Sequence, residues 1–307
     1  MIDFDRPVPA NGYRWWYVDA LSDDGRHGIT LIAFIGSVFS PYYAAARRRG
    51  AADPRHHVAL NVALYGPPWR WAMTERGRDR LRAEATRLAI GPSALAWRGD
   101  ALECSLDEVT APMPSRLRGR VRVTPEVSTA HAFRLDAAGR HRWRPLAPRA
   151  HVEVRLERPA LRFAGTGYLD SNDGDAPLED DFRRWTWSRA AHRDGATTVL
   201  YDVERRDGEI TSLALRFDAA GRAEPIDAPP PVALAPSGWR IARATRSDDG
   251  AAVERTLQDA PFYARSVVRA TLRGERIVAI HESLDLDRFR RRWVQMLLPF
   301  RMPRRAR

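Results

Sequence analysis

Between residues 13 and 286 the chain is dominated by short runs in which apolar and polar positions alternate. Trp15, Tyr17 and Asp19 alternate with Trp16 and Val18, residues 58–64 keep the same period, and Val152, Val154 and Leu156 sit between charged neighbours. Similar runs follow at 198–203, 210–217, 262–272 and 277–286. A period of two over strand-length segments predicts β-strands. The turn dipeptides Asp24-Gly25, Asp207-Gly208, Ala220-Gly221 and Asp249-Gly250 punctuate them. Many short strands with few long helical patterns predict an all-β protein, a sandwich or a barrel.

At 307 residues the chain has room for two domains, each with its own core. Asp194-Gly195 follows the aromatic segment Trp185-Thr186-Trp187 and opens a fresh series of hairpins. The expected division is therefore an N-terminal domain over 1–192, a second domain over 193–286 and a tail over 287–307. The run Pro229-Pro230-Pro231, continued by Pro236, reads as a stiff connection inside the second domain, because too few strands follow it to close a separate core. The tail differs in kind. Phe289, Trp293, Met296, Leu297 and Phe300 recur at helical spacing among arginines, with Pro299 limiting the helix to about three turns. Such a helix lies at a membrane interface, with its arginines near anionic head groups, or docks on the protein's own barrel.

Composition narrows the function classes. Of the net charge of +11, eight belong to arginines 288, 290, 291, 292, 301, 304, 305 and 307, leaving +3 for residues 1–287. All basic residues are Arg and none is Lys, a pattern of coding bias more than of a phosphate-binding surface, so no nucleic-acid partner is expected. The single cysteine, Cys104, excludes an internal disulfide framework and fits a reducing compartment. The opening residues lack the basic and apolar regions of a secretory signal, and no stretch reaches the roughly 18 apolar residues that span a bilayer. A soluble or peripheral protein is expected.

Two alternating units carry the candidate chemistry. In extended chain, His141 and Trp143 of His141-Arg142-Trp143 share a face, as do Tyr168 and Asp170 of Tyr168-Leu169-Asp170. Each unit sets a titratable group beside an aromatic ring. A carboxyl desolvated by rings stays protonated nearer neutrality and can donate, and ring faces stabilise a carbocation. The pair is thus suited to protonating an unactivated carbon–carbon double bond, the first step of olefin hydration. Other candidates are weaker. The acidic segment from Gly167 to Asp175 lacks the closing Glu of a calcium loop. His56 and His57 point to opposite faces of a strand and make no metal pair, and Ile35-Gly36-Ser37-Val38-Phe39-Ser40 fits neither a phosphate loop nor a nucleophile elbow. No cofactor or metal is expected.

The chain resembles the carotenoid 1,2-hydratases, or hydroxyneurosporene synthases, of phototrophic bacteria. The resemblance runs through Trp15-Trp16-Tyr17-Val18-Asp19-Ala20, residues 34–43, 61–66, 71–77, 108–112 and 114–120, His141-Arg142-Trp143 and Gly167-Tyr168-Leu169-Asp170-Ser171-Asn172, most of residues 12–190. It implies a pair of lipocalin-like β domains and a cofactor-independent addition of water to the terminal 1,2 double bond of acyclic carotenes such as neurosporene or lycopene. It also implies that Asp170, Tyr168, His141 and Trp143 are essential. Protonation at C2 leaves the more stable tertiary cation at C1, where water adds. Asp170 is then the proton donor, Trp143 and Tyr168 turn ring faces to the cation, and His141 positions the water and takes its proton. Trp15, Trp16, Trp185 and Trp187 are candidates for lining the polyene's route, with core packing as the competing reading. A bilayer-soluble substrate implies a peripheral protein on the cytoplasmic side of the inner or intracytoplasmic membrane, held to an anionic surface through residues 288–307. The alternatives are a lipocalin-like carotenoid carrier without chemistry and a related polyene cyclase or isomerase.

Overall fold

The computed structural model describes residues 3–305; Arg307 of the basic tail lies outside them. The alternating runs form strands, and these collect into two compact units.

The first unit takes the residues up to Phe133, Arg140–Pro177 and the chain from Met296. Its large sheet runs, edge to edge, through Arg304–Arg305, Arg70–Arg76, Val58–Tyr65, Gly28–Ile35, Tyr13–Ser22, Leu161–Gly174, His141–Arg158, Arg116–Val127, Ala101–Val109, Ser93–Arg98, Arg87–Ile90 and Leu81–Glu84. The sheet curls on itself. Arg76 and Glu108, on strands that are not neighbours in this order, form a buried ion pair at 2.7 Å inside the curl, and Ser93 donates to the same carboxylate at 2.8 Å. Around them Trp16, Val18, Ala20, Leu31, Leu60, Val62, Leu102, Val121, Val152 and Leu169 make one continuous core. Alternate residues of the central strands face the other way and are buried too: nine of the ten positions of Tyr13–Ser22 are buried. Two-sided burial explains why both sets of alternate positions in this strand are rich in large side chains.

The second unit comprises Arg134–Gly139 and Leu178–Gln295. Its seven-stranded antiparallel sheet has the order Ala223–Pro225, Ile210–Phe217, Thr197–Arg205, Phe182–Ala191, Glu275–Asp285, Tyr263–Leu272 and Ala251–Ala260. A separate ribbon pairs Pro231–Leu234 with Arg243–Arg246, so the proline run sits inside this unit. The strand Phe182–Ala191 pairs on both sides within this sheet, so the compact units change at 177/178 and not at 193. The hairpin signal at Asp194-Gly195 marks a turn between two strands of one sheet.

The tail also differs from the expected single helix. A short helix Leu286–Phe289, capped by the Asp285 carboxylate accepting from the Arg288 amide at 2.9 Å, ends before a second helix, Arg292–Arg301. The break turns Phe289 into the interior, stacked obliquely on Phe262. The apolar stripe is therefore Trp293, Met296, Leu297 and Phe300, all exposed, and the helix passes through Pro299 to end two residues later. Beyond it Arg304–Arg305 adds to the first sheet as a strand parallel to Arg70–Arg76. Among the described residues no helix is long and apolar enough to cross a membrane.

Candidate active site

The two units singled out in the sequence lie on adjacent antiparallel strands. His141 stands opposite Gly174, Trp143 opposite Asn172 and Pro145 opposite Asp170. On the other side of Leu161–Gly174 the first strand places Tyr13 opposite Gly174, Trp15 opposite Asn172, Tyr17 opposite Asp170 and Asp19 opposite Tyr168. By the pleat, His141, Trp143, Tyr168, Asp170, Tyr13, Trp15, Tyr17 and Asp19 all share one face, the one turned away from the aliphatic core.

This face is a buried, polar-studded aromatic field. Asp170 is 5% exposed, and the Trp143 indole Nε1 donates to its Oδ2 at 2.9 Å. Burial, followed by the charge of Asp170 and a hydrogen bond to it, pushes the Tyr168 hydroxyl well above its ordinary range, so the phenol stays neutral and acts as a donor. His141 is fully buried, with its Nδ1 2.9 Å from the Tyr13 hydroxyl and its ring stacked on Tyr13 at 5.8 Å. A Cβ at position 174 would fall 2.3 Å from Tyr13 Cε1 and 2.7 Å from His141 Nδ1, so a glycine there is what lets phenol and imidazole meet. Tyr13 stacks in turn on Trp15 at 4.8 Å, Trp15 meets Phe34 and Phe39, and Phe133 lies against Trp143 at 5.4 Å. Phe39 is brought in by the turn before the helix Pro41–Arg47, whose cap Ser40 accepts from the Tyr42 and Tyr43 amides at 3.1 Å.

The four tryptophans expected to line a substrate route separate. Trp15 lies on the face of the four site residues. Trp16 points into the core and meets Phe4 edge-on at 4.9 Å, because adjacent strand residues face opposite ways. Trp185 and Trp187 are buried in the second unit, on the strand Phe182–Ala191. His141 is four strand positions from Asp170 along Leu161–Gly174, about 13 Å. Tyr13, Tyr17 and Asp19 join the site without having been singled out; their signal is the alternation of 13, 15, 17 and 19 in the first strand. The acidic run considered as a calcium loop is strand as far as Gly174, and two of its acids face arginines: Asp173 pairs with Arg142 at 2.6 Å and with Arg144, and Asp175 pairs with Arg142 at 2.8 Å. Among the described residues no group of three His, Cys, Asp or Glu could hold a metal ion. His57 is buried against Glu75 while His56 is exposed.

A family model described as Carotenoid hydratase CrtC matches residues 31–307. The chain belongs to this carotenoid hydratase family. An acyclic carotenoid 1,2-hydratase of Thiocapsa roseopersicina is 58% identical over 98% of this chain and 75% of its own length, and one of Rubrivivax gelatinosus is 52% identical over 99% and 76%. In fold the carotenoid hydratase chain is similar to the crystal structure of a candidate AttH protein from Nitrosomonas europaea, with a TM-score of 0.62 at 15% identity, covering 89% of this chain and 91% of that one. This supports a lipocalin-like architecture for the hydratase. The field of rings around Asp170 lies in the part of the carotenoid hydratase chain that the family model spans, apart from the first strand, which precedes residue 31.

Proposed function

We propose that this protein adds water across the terminal C1–C2 double bond of an acyclic carotene such as neurosporene or lycopene, without a cofactor, to give the 1-hydroxy-1,2-dihydro product. The observation that carries the reading is Asp170, a carboxyl 5% exposed whose Oδ2 accepts from the Trp143 indole on the paired strand. Burial among rings favours the neutral acid. With Oδ2 accepting as the carbonyl oxygen, the proton resides on Oδ1 and passes to C2, the π electrons forming the new C–H bond and leaving a tertiary cation at C1. The ring faces of Trp143 and Tyr168 stabilise that cation; at about 2 kcal/mol for each desolvated contact, two rings supply on the order of a thousandfold in rate. The neutral Tyr168 phenol is no base for the cation and so does not return it to alkene. His141, held by Tyr13, positions the attacking water.

The substrate resides in the bilayer, and the exposed stripe of Trp293, Met296, Leu297 and Phe300 suits an interfacial docking face on the cytoplasmic side of the membrane. Of the tail arginines, Arg290, Arg291 and Arg292 are exposed beside it and suit anionic head groups.

Incubation with lycopene in heavy-oxygen water tests the function. Labelled alcohol is expected from the wild type and a loss of at least about a hundredfold in Asp170→Asn with its fold intact. Binding without label would make the protein a carrier, and an unlabelled isomer would make it a cyclase or isomerase.

A further inference from the structure

Hydration of an alkene needs two proton transfers: one onto carbon, and one away from the water that captures the cation. The second needs a base near the first acid. His141 stands four strand positions from Asp170. A second carboxyl is much closer by register. Tyr17 faces Asp170 and Asp19 faces Tyr168, so Asp19 and Asp170 are diagonal neighbours on one face of paired strands, at the roughly 7–8 Å typical of such pairs. Asp19 is 2% exposed, and the Tyr17 hydroxyl donates to its Oδ2 at 2.7 Å. The Tyr17 hydroxyl thus holds one oxygen of Asp19 in place on the face that Asp170 shares. The Tyr17 and Tyr168 rings meet edge-on at 6.2 Å, and the charge of Asp19 is felt at the Tyr168 hydroxyl, so the two Asp–Tyr pairs form one cluster.

We propose that Asp19 is the base of the reaction, taking the proton of the attacking water while Asp170 supplies the proton to C2; this rests on the hydratase reading given above. In the first step the Asp170 O–H bond breaks and the C2–H bond forms. In the second a water lone pair forms the C1–O bond, its O–H bond breaks, and the proton goes to Asp19. The cluster is left with Asp170 ionised and Asp19 neutral, and return of one proton from Asp19 to Asp170 closes the cycle with no net consumption of acid. Alkene and water are the reactants and the tertiary alcohol the product.

The test uses the full chain with lycopene in phosphatidylglycerol-containing vesicles in deuterium oxide, following both alcohol formed and deuterium in recovered alkene. In Asp19→Asn the cation still forms and collapses back, so exchange at C2 persists within a few-fold of wild type while hydration falls by about 10²–10⁴. The Asn carbonyl still accepts from Tyr17, so a residue that merely held that ring would leave hydration intact. Tyr17→Phe removes the hydroxyl that bonds Asp19 and raises the ratio of exchanged alkene to alcohol; it keeps the proposal testable if Asp19→Asn fails to fold. Hydration at the wild-type rate in folded Asp19→Asn, loss of exchange and hydration together there, or an unchanged ratio in Tyr17→Phe would each overturn the assignment. Failure of the hydratase reading is distinct: it leaves no alcohol from the wild type, whereas full hydration in Asp170→Asn sinks only the acid role of Asp170.

Discussion

Trp143 contributes two separable properties to the site, an indole N–H aimed at Asp170 and a ring face beside it. Trp143→Phe keeps a ring and deletes the donor. Losing one hydrogen bond of about 1.4 kcal/mol slows protonation about tenfold, and because protonation precedes both outcomes, deuterium exchange and hydration fall together. A variant in which hydration falls and exchange does not would assign Trp143 to the second step. At this scale the sequence was informative about pairs on one strand. His141 with Trp143, and Tyr168 with Asp170, follow from a period of two. The contact of Tyr13 with His141 spans 128 residues and exists because both stand opposite Gly174, a register that no local pattern encodes. Asp19 was hidden for the same reason: its position opposite Tyr168 belongs to strand pairing.

Among the elements, the C-terminal strand is the one whose role changed most. Expected in a basic tail held to an anionic surface, Arg304 instead pairs with Glu75, which is buried and also holds His57 Nδ1 at 2.9 Å. Arg301 lies over the Trp71 ring at 4.5 Å. Arg304→Ala leaves a buried carboxylate with its histidine alone and is expected to cost about 2 kcal/mol, less than a fully buried pair because Arg304 is partly exposed. The urea midpoint moves down accordingly, with the slope unchanged; no movement would reduce the pair to a surface contact. The strands were legible because alternation is a local consequence of one buried face. The single helix expected for the tail was not found because periodicity locates apolar positions without fixing where a helix breaks, and the helix that Asp285 caps at its start ends at Phe289.

For the whole molecule, the relevant quantity is how the protein meets a substrate that water hardly dissolves. Met296 and Phe300 are both 68% exposed on the same face as Trp293 and Leu297. Large apolar side chains left in water are stabilised by about 1.5–3 kcal/mol each when fully buried. Met296→Ser with Phe300→Ser is therefore expected to weaken partition to anionic vesicles by about tenfold or more, and added salt to weaken the wild type further through Arg290, Arg291 and Arg292. Sedimentation with vesicles measures both. Equal partition of the double variant and the wild type would remove the helix from the membrane contact. Hydration of detergent-dispersed carotene should change little in that variant, since the helix carries none of the site residues.

From sequence alone came the all-β class, the strand positions, the four candidate residues and their family, because each rests on local periodicity or on short blocks of residues. Tertiary structure decided that the four candidate residues share the face opposite the aliphatic core, that Trp16 belongs to that core and Trp15 to the candidate face, that the units part at 177/178, and that Asp19 stands beside Tyr168. Those facts depend on which strands pair and in what register. Pairing is set by the burial of whole faces at once, a property distributed over residues far apart in the chain.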